Sequence, residues 1–393
     1  MGFSSDEIRS IIASQETDIR QPGTVLFSQA RYEVIRMLGE GGMGITCLAN
    51  EISAANLKRP VVLKFVKDSL DPNRLAQFLN EVQLSVLFNH PNLVPVYRLE
   101  TETLRIQLPK EKLSRRREHE HTMYYAVMQY IDGWNLRQIV ERLRGLGIAL
   151  NHDITMFIIG RVARGLHYVH EYRGENRQAL GLVHRDVSPE NILIDRYGRI
   201  KVADFGITKP AKLLQTSNSA KLGGKLLYCA PEQIDGEPLD ARCDIYNIGL
   251  LMYFLFTNLD RHGAELRQKL MRAGIRRKMK KSPLDELKGV DGKLASICDI
   301  CLREDPNERY QNCEDLATDI DIYFQESQKL VTNEQLEEVL NDLFSSSPTF
   351  ISRRFIPLTG SPKLEQPAYD PKFRPVPEPD VEELRTVELD QTE

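Results

Sequence analysis

The chain has 393 residues, 41% of them hydrophobic and 27% charged, with a formal net charge of −4. That balance excludes a general nucleic-acid binder held by overall charge, and the length leaves room for a two-lobed catalytic unit plus a tail. The longest apolar run, Ile248 to Phe256, is too short to span a bilayer, and the opening MGFSSDEIRSIIASQETD lacks the charge and apolar core of a signal peptide. Six cysteines are too sparse for a disulfide scaffold, so a reducing cytoplasm is expected.

Residues 1 to about 27 are polar and predict a loosely ordered extension. Tyr32 to Leu38 alternates as a strand and runs into Gly39-Glu40-Gly41-Gly42-Met43-Gly44, after which Ile45 to Asn50 continues as strand. Dinucleotide-binding folds need a helix after such glycines; here the loop is a flap between strands, whose backbone can close over phosphates. A third strand, Val61 to Val66, sets Lys64 among apolar neighbours. Asn73 to Phe88 has helical periodicity, with Leu75, Phe78, Leu79, Val82 and Val86 on one face. Asn89-His90-Pro91-Asn92 breaks that helix, and Leu93 to Leu99 starts another strand. Glu100 to His121 reads as an inserted loop with a basic core of Lys110, Lys112, Arg115, Arg116 and Arg117, either solvated or open to an acidic partner. Tyr124 to Met128 is a further strand, and two helical stretches follow, Leu136 to Leu146 and Ile154 to His170.

Two short apolar pieces, Ile192 to Ile194 and Ile200 to Val202, are joined by a turn at Tyr197-Gly198 and predict a hairpin. The loop before it carries His184, Arg185, Asp186 and Asn191, and the loop after it Asp204, Phe205 and Gly206. A hairpin can bring those two loops to one point. Asp186 could accept a proton from a hydroxyl nucleophile there, while Asn191 and Asp204 offer hard oxygen ligands to magnesium. Mg²⁺ keeps few protein ligands and favours phosphate oxygens, which points to a nucleoside triphosphate.

The wording VHRDVSPEN, followed by ADFG, resembles the catalytic and metal-binding loops of the eukaryotic-type protein kinase family, closer to its bacterial serine/threonine branch than to the animal one. The resemblance runs from about Tyr32 to Phe324 and implies an α+β, bilobal fold with a β-rich lobe at about 31–130 and a helical lobe at about 131–326. It implies ATP and Mg²⁺ as cofactors, protein serine or threonine hydroxyls as acceptors, Asp186 as the group acting on the acceptor, and Asn191 and Asp204 as metal ligands. Lys64 becomes the partner of the α- and β-phosphates, held by Glu81; Met128 the gatekeeper; and Gln129, Tyr130 and Ile131 the adenine hinge. Nucleotide contacts extend over Leu38, Gly39, Glu40, Gly41, Gly42, Met43, Gly44 and Thr46 by the same likeness.

Past Gly206 the likeness continues. Ile207 to Tyr228 matches an activation loop with Thr216, Ser217 and Ser219 as candidate phosphoacceptors near Arg185, ending at Ala230-Pro231-Glu232. Asp244 opens the most apolar helix and is expected to hold the catalytic-loop backbone, and Arg309 is expected to pair with Glu232. A second basic stretch, 267–281, is a helix face or a substrate-docking site. Two departures stand out: Ser188 occupies the place of a lysine that neutralises phosphoryl charge, and Lys225 the place of a threonine beside it, so Lys225 is a candidate replacement. A third is Ser85, one turn after Glu81, where the family places a bulky apolar side chain.

A pseudokinase scaffold would lose Lys64, Asp186 or Asp204, and a small-molecule phosphotransferase the A-P-E glutamate and its arginine; the chain keeps all of them. Glu334 to Phe344 reads as a short amphipathic helix within an extension at 327–345, and 346–393 as a proline-rich, then acidic, disordered tail. In that tail Thr386, with Leu389 three positions on, suits a forkhead-associated reader once phosphorylated.

Overall fold

The computed structural model describes residues 25–27, 30–40, 44–66, 71–106, 119–174, 176–205, 228–257, 284, 287, 289–344 and 355–357. Gly41, Gly42, Met43, Gly206, Thr216, Ser217, Ser219, Lys225, Thr386 and the basic stretches 110–117 and 267–281 lie outside the described residues.

The upper lobe is a sheet. β1 (Val25–Phe27), β2 (Arg31–Glu40), β3 (Gly44–Ile52), β4 (Lys58–Val66), β5 (Val96–Ile106) and β6 (His119–Gln129) run antiparallel in the order β1-β2-β3-β4-β6-β5. Alternation sorts β4: Val61, Leu63 and Phe65 bury against Cys47, Ala49, Tyr125 and Val127, which leaves Lys64 on the opposite face. On that opposite side α1 (Pro72–Ser85) buries Phe78 and Val82 against Val96 and Ala126. Its N-terminus is fixed by the Asp71 carboxylate, which accepts the Asn73 N–H at 3.0 Å, and by Pro72, whose missing N–H costs nothing there. The helix stops at Ser85, so Val86, expected on the apolar face, lies exposed beyond it.

The lower lobe is helical. α2 (Leu136–Gly145), α3 (His152–His170), α4 (Pro231–Asp235), α5 (Ala241–Thr257), α6 (Gly292–Cys301) and α7 (Cys313–Glu326) surround one apolar core. α5 is buried from Cys243 to Phe256, as a helix that is apolar all round must be. A Cβ on its Gly249 would lie 2.8 Å from Cys301 Cβ, so glycine is what lets α5 approach α6. Between the lobes, β9 (Ile192–Asp195) and β10 (Ile200–Val202) form the expected hairpin, closed by a turn with Gly198 at φ 73°, and β7 (Gly133–Asn135) adds to its β9 edge.

Three expectations are corrected. The N-terminal extension contributes β1 to the sheet, because Leu26 buries completely in the upper core. The insertion is no loop at its ends: β5 and β6 keep their register out to Ile106↔His119, lengthening the hairpin beyond the sheet. The tail is not wholly disordered, since β11 (Phe355–Pro357) pairs antiparallel with β8 (Ile148–Leu150) and buries Phe355. α8 (Asn333–Phe344) precedes it as an amphipathic helix. Among the described residues no helix is long and apolar enough to cross a membrane.

Candidate active site

Lys64 stands at the centre of the cleft. β4 points it toward α1, and its Nζ donates to Glu81 Oε1 at 3.0 Å and to Asp204 Oδ1 at 2.9 Å. Lys64 and Glu81 are both 7% exposed. Burial alone would push the ammonium down, but the Asp204 and Glu81 carboxylates outweigh it and hold Lys64 charged, well above its ordinary value. Ser85 spends its hydroxyl on the helix, donating to the Glu81 carbonyl at 2.7 Å. A small cavity lies beside Lys64, Glu81 and Asp204, walled on its other sides by Ser85, Met128 and Phe205. Thr46 lies opposite Lys64 in the β3–β4 register.

The hairpin gathers the remaining polar groups. Asn191 Nδ2 donates to the Asp186 carbonyl at 2.8 Å and to its Oδ2 at 3.1 Å. Across the hairpin, the Ala203 N–H donates to the Asn191 carbonyl at 2.8 Å, which sets Asp204 beside the loop that carries Asp186. The Asn191 amide thus turns its NH₂ to Asp186, and its oxygen is the hard donor that, with the Asp204 carboxylate, could hold a divalent cation. Arg185 (φ 62°) and Asp204 (φ 55°) both adopt left-handed backbone, which non-glycine residues enter only when the surroundings enforce it. The enforcement for Arg185 is visible. Asp244, fully buried at the start of α5, accepts the His184 N–H at 2.7 Å and the Arg185 N–H at 2.8 Å.

Residues that sequence reasoning passed over complete this frame. His170 Nε2 lies 2.8 Å from Asp244 Oδ2; burial opposes its charge, yet Cys313 and Asp244 push it up to about 10. Gln233 Nε2 donates to the Arg185 carbonyl at 3.1 Å, its Oε1 accepts the Ala230 N–H at 2.8 Å, and Asn247 Nδ2 binds both that oxygen and the Tyr228 carbonyl. Phe88 packs edge-on against Phe205 at 5.2 Å between ring centres, and His184 lies 4.8 Å from the same ring. Three of these contacts, His170–Asp244, Gln233–Arg185 and Phe88–Phe205, join residues 48 to 117 positions apart, so no local spacing announces them.

The expected Glu232–Arg309 pair is present and bidentate, at 2.6 and 2.9 Å. Arg309 also donates to the carbonyls of Arg303 (2.8 Å), Arg242 (2.9 Å) and Glu304 (2.9 Å), so all five guanidinium N–H groups are used. On the hinge side, the Gln129 N–H donates to the Pro95 carbonyl at 2.9 Å. Met128 and Ile131 are partly buried. Leu38, Gly39 and Glu40 end β2 exposed, Gly44 is buried, and a Cβ on Gly39 would meet nothing within 4 Å. Ser188 is 3% exposed, short and uncharged. The arrangement offers a buried cation between two carboxylates, an amide-oriented carboxylate, and two oxygen donors on one hairpin.

A protein kinase domain profile matches residues 32–319. The tyrosine-protein kinase MasK of Myxococcus xanthus is 30% identical over 302 residues, 75% of this chain and 43% of that protein. Serine/threonine-protein kinase PknB of Mycolicibacterium smegmatis is 36% identical over 234 residues (58% and 32%). Serine/threonine-protein kinase PknD of Protochlamydia amoebophila is 27% identical over 331 residues (75% and 30%). The chain matches less than half the length of these relatives.

Proposed function

From the premise that this chain belongs to the protein kinase domain family, we propose that it transfers the γ-phosphate of ATP to serine or threonine hydroxyls of protein substrates. The observation that carries this reading is the Lys64 ammonium, buried between Glu81 and Asp204, next to a hairpin on which Asn191 orients Asp186. The Glu232–Arg309 pair favours a protein acceptor over a small molecule, because it anchors the segment after residues 206–227 on which a peptide can lie.

The residues divide the work. Lys64, steered by Glu81, orients the α- and β-phosphates, and the hinge backbone at Gln129 and Ile131 holds adenine. Asn191 and Asp204 would hold Mg²⁺, which would supply positive charge against that developing on the phosphates. Asp186 accepts the hydroxyl proton of the acceptor, and the Asn191 NH₂ keeps the carboxylate aimed. Little covalent help is needed for phosphoryl transfer, so positioning and charge neutralisation supply the rate. Leu38 to Gly44 and Thr46 cover the nucleotide. Lys225 supplies the cation that Ser188 does not.

Transfer to Thr216, Ser217 or Ser219 within the chain is part of the proposal, as is a cytoplasmic setting and a forkhead-associated reader of phosphorylated Thr386. Incubation of the full chain with ATP and Mg²⁺, followed by phosphosite mapping, tests the main reading. Phosphoserine or phosphothreonine lost in both Asp186→Asn and Lys64→Met, with folding retained, supports it; equal phosphorylation by both variants overturns it. Phosphotyrosine alone would move the acceptor class toward that in the name of the Myxococcus relative. A pull-down in which Thr386→Ala retains every reader would remove the tail from the proposal.

A further inference from the structure

Residues 333–344 and 355–357 lie beyond the matched domain, yet they pack on elements that frame the cleft. α8 begins against the tip of the β9–β10 hairpin. A Cβ on Gly198 would come within 2.1 Å of the Asn333 carbonyl oxygen and 3.0 Å of the Glu337 nitrogen, so the helix start and the turn touch backbone to backbone. The helix ends against β7 and α2. The Phe344 ring stacks on Trp134 of β7, 4.2 Å between centres and 4° from parallel, and Arg142 of α2 donates from Nε to the Leu343 carbonyl at 3.1 Å. Leu336, Val339, Leu340 and Leu343 are buried along the way. β11 then fastens the chain a second time, on β8.

The elements bridged in this way are also bound to each other. β7 pairs with β9 residue by residue, Gly133↔Asp195, Trp134↔Ile194 and Asn135↔Leu193. The Arg196 N–H donates to the Asp132 carbonyl at 2.9 Å, and the two side chains form an ion pair at 2.6 Å. A three-residue strand on a three-stranded sheet is weakly held by its own hydrogen bonds, so what packs on it fixes its orientation. The adenine hinge at 129–131 runs straight into β7, while Asn191 and Asp204 flank the hairpin. A nucleotide has to satisfy both at once.

We propose that α8 is a strut that holds the hinge strand in register with the metal-binding hairpin, with Phe344 and Trp134 as positioning residues for the nucleotide. The proposal rests on the reading of the cleft as a Mg²⁺·ATP site. Because the strut bears on the geometry of nucleotide binding and does not touch Asp186, its loss weakens affinity more than turnover.

The test uses the full chain with Phe344→Ala, Phe344→Leu and Phe344→Trp. Leucine keeps apolar volume but loses the stack, and so remains informative if alanine does not fold. The expected result is a KM for Mg²⁺·ATP raised about fivefold or more in the leucine variant, kcat at saturation within about twofold, and recovery with tryptophan. Amide hydrogen exchange should rise in 133–135 and 192–202 and not in β3 or β4. Unchanged KM and unchanged exchange in those segments, even with a lowered Tm, would reduce Phe344 to a packing residue and overturn the proposal. Exchange needs no nucleotide, so a wild-type chain that fails to bind Mg²⁺·ATP sinks the nucleotide reading while the exchange result still judges the strut.

Discussion

Ser188 is buried and uncharged beside a carboxylate that, in the proposed reaction, works near a polyanion, and that makes charge supply the first question at the scale of single residues. If Lys225 provides the missing cation, Lys225→Ala should lower kcat by about 10²-fold or more, the range seen when one electrostatic stabiliser is removed. Lys225→Thr combined with Ser188→Lys should recover a substantial part of the loss. A double-mutant cycle showing simple additivity, or wild-type rates for Lys225→Ala, would assign the phosphoryl charge to Mg²⁺ and Lys64 alone. His170 gives a prediction of a different kind. Its folded-state value of about 10 exceeds the ordinary 6.5, so the folded chain holds a proton that the unfolded chain gives up first. Stability from this group is full below about pH 6.5 and drains away as pH rises toward about 10. Melting curves across that window should converge for wild type and His170→Gln at the alkaline end; parallel curves would show that His170 is not charged beneath Asp244.

Among the elements, α1 and the loop before α7 each carry one partner of a buried ion pair. α1 carries Glu81 to Lys64, yet its last buried position is a serine with a cavity beside it. Ser85→Leu exchanges one hydroxyl bond, worth about 1 kcal/mol, for apolar burial of about 0.8 kcal/mol per methylene. The expected balance is about 1 kcal/mol of stabilisation, seen as a Tm rise of about 2 °C. A fall of similar size would mean that the cavity cannot accept the side chain without strain. The Arg309 guanidinium works in the other direction. With every N–H satisfied and Glu232 buried opposite, removing one partner strands a buried charge, so Glu232→Ala should cost about 3–5 kcal/mol in denaturant titrations. A loss below about 1 kcal/mol would show that water reaches the pair.

For the molecule as a whole, the Lys64–Asp204 bond is a contact between lobes: one partner belongs to the sheet, the other to the hairpin on the helical side. Its Asp204 end is about half exposed and serves as the metal ligand in the proposed complex, so nucleotide with Mg²⁺ should redistribute this contact without unfolding either lobe. Thermal shift is the direct measure. At about 100 times Kd, Mg²⁺·ATP should stabilise the chain by about 2.7 kcal/mol, and chelation of the metal should remove most of that. Asp204→Asn should keep a shift with ATP but lose its dependence on metal. Equal shifts with and without Mg²⁺ in wild type would exclude Asn191 and Asp204 as its holders.

The candidate site residues could be named from the order of residues alone, because the glycine flap, the strand with Lys64, the HRD and DFG loops and the hairpin between them are each local in sequence. Local periodicity likewise marked α3 and α8, a continuous apolar run marked α5, and Tyr197-Gly198 marked the hairpin turn. Other features required the tertiary structure, for a common reason: their partners are far apart in the chain, and a strand edge or a buried polar group does not advertise who will satisfy it. β1 and β11 are three-residue strands that exist only because β2 and β8 offer free edges, so composition read both as loose ends. Ser85 read as a departure from a bulky apolar side chain, and only the fold shows its hydroxyl donating to the Glu81 carbonyl. Gln233 and His170 carry no signal by themselves; they acquire roles when folding sets them beside the Arg185 carbonyl and Asp244. The seat of α8 was decided the same way, since nothing in an amphipathic helix says which groove it will fill, and here the answer came from a glycine turn at one end and an indole at the other.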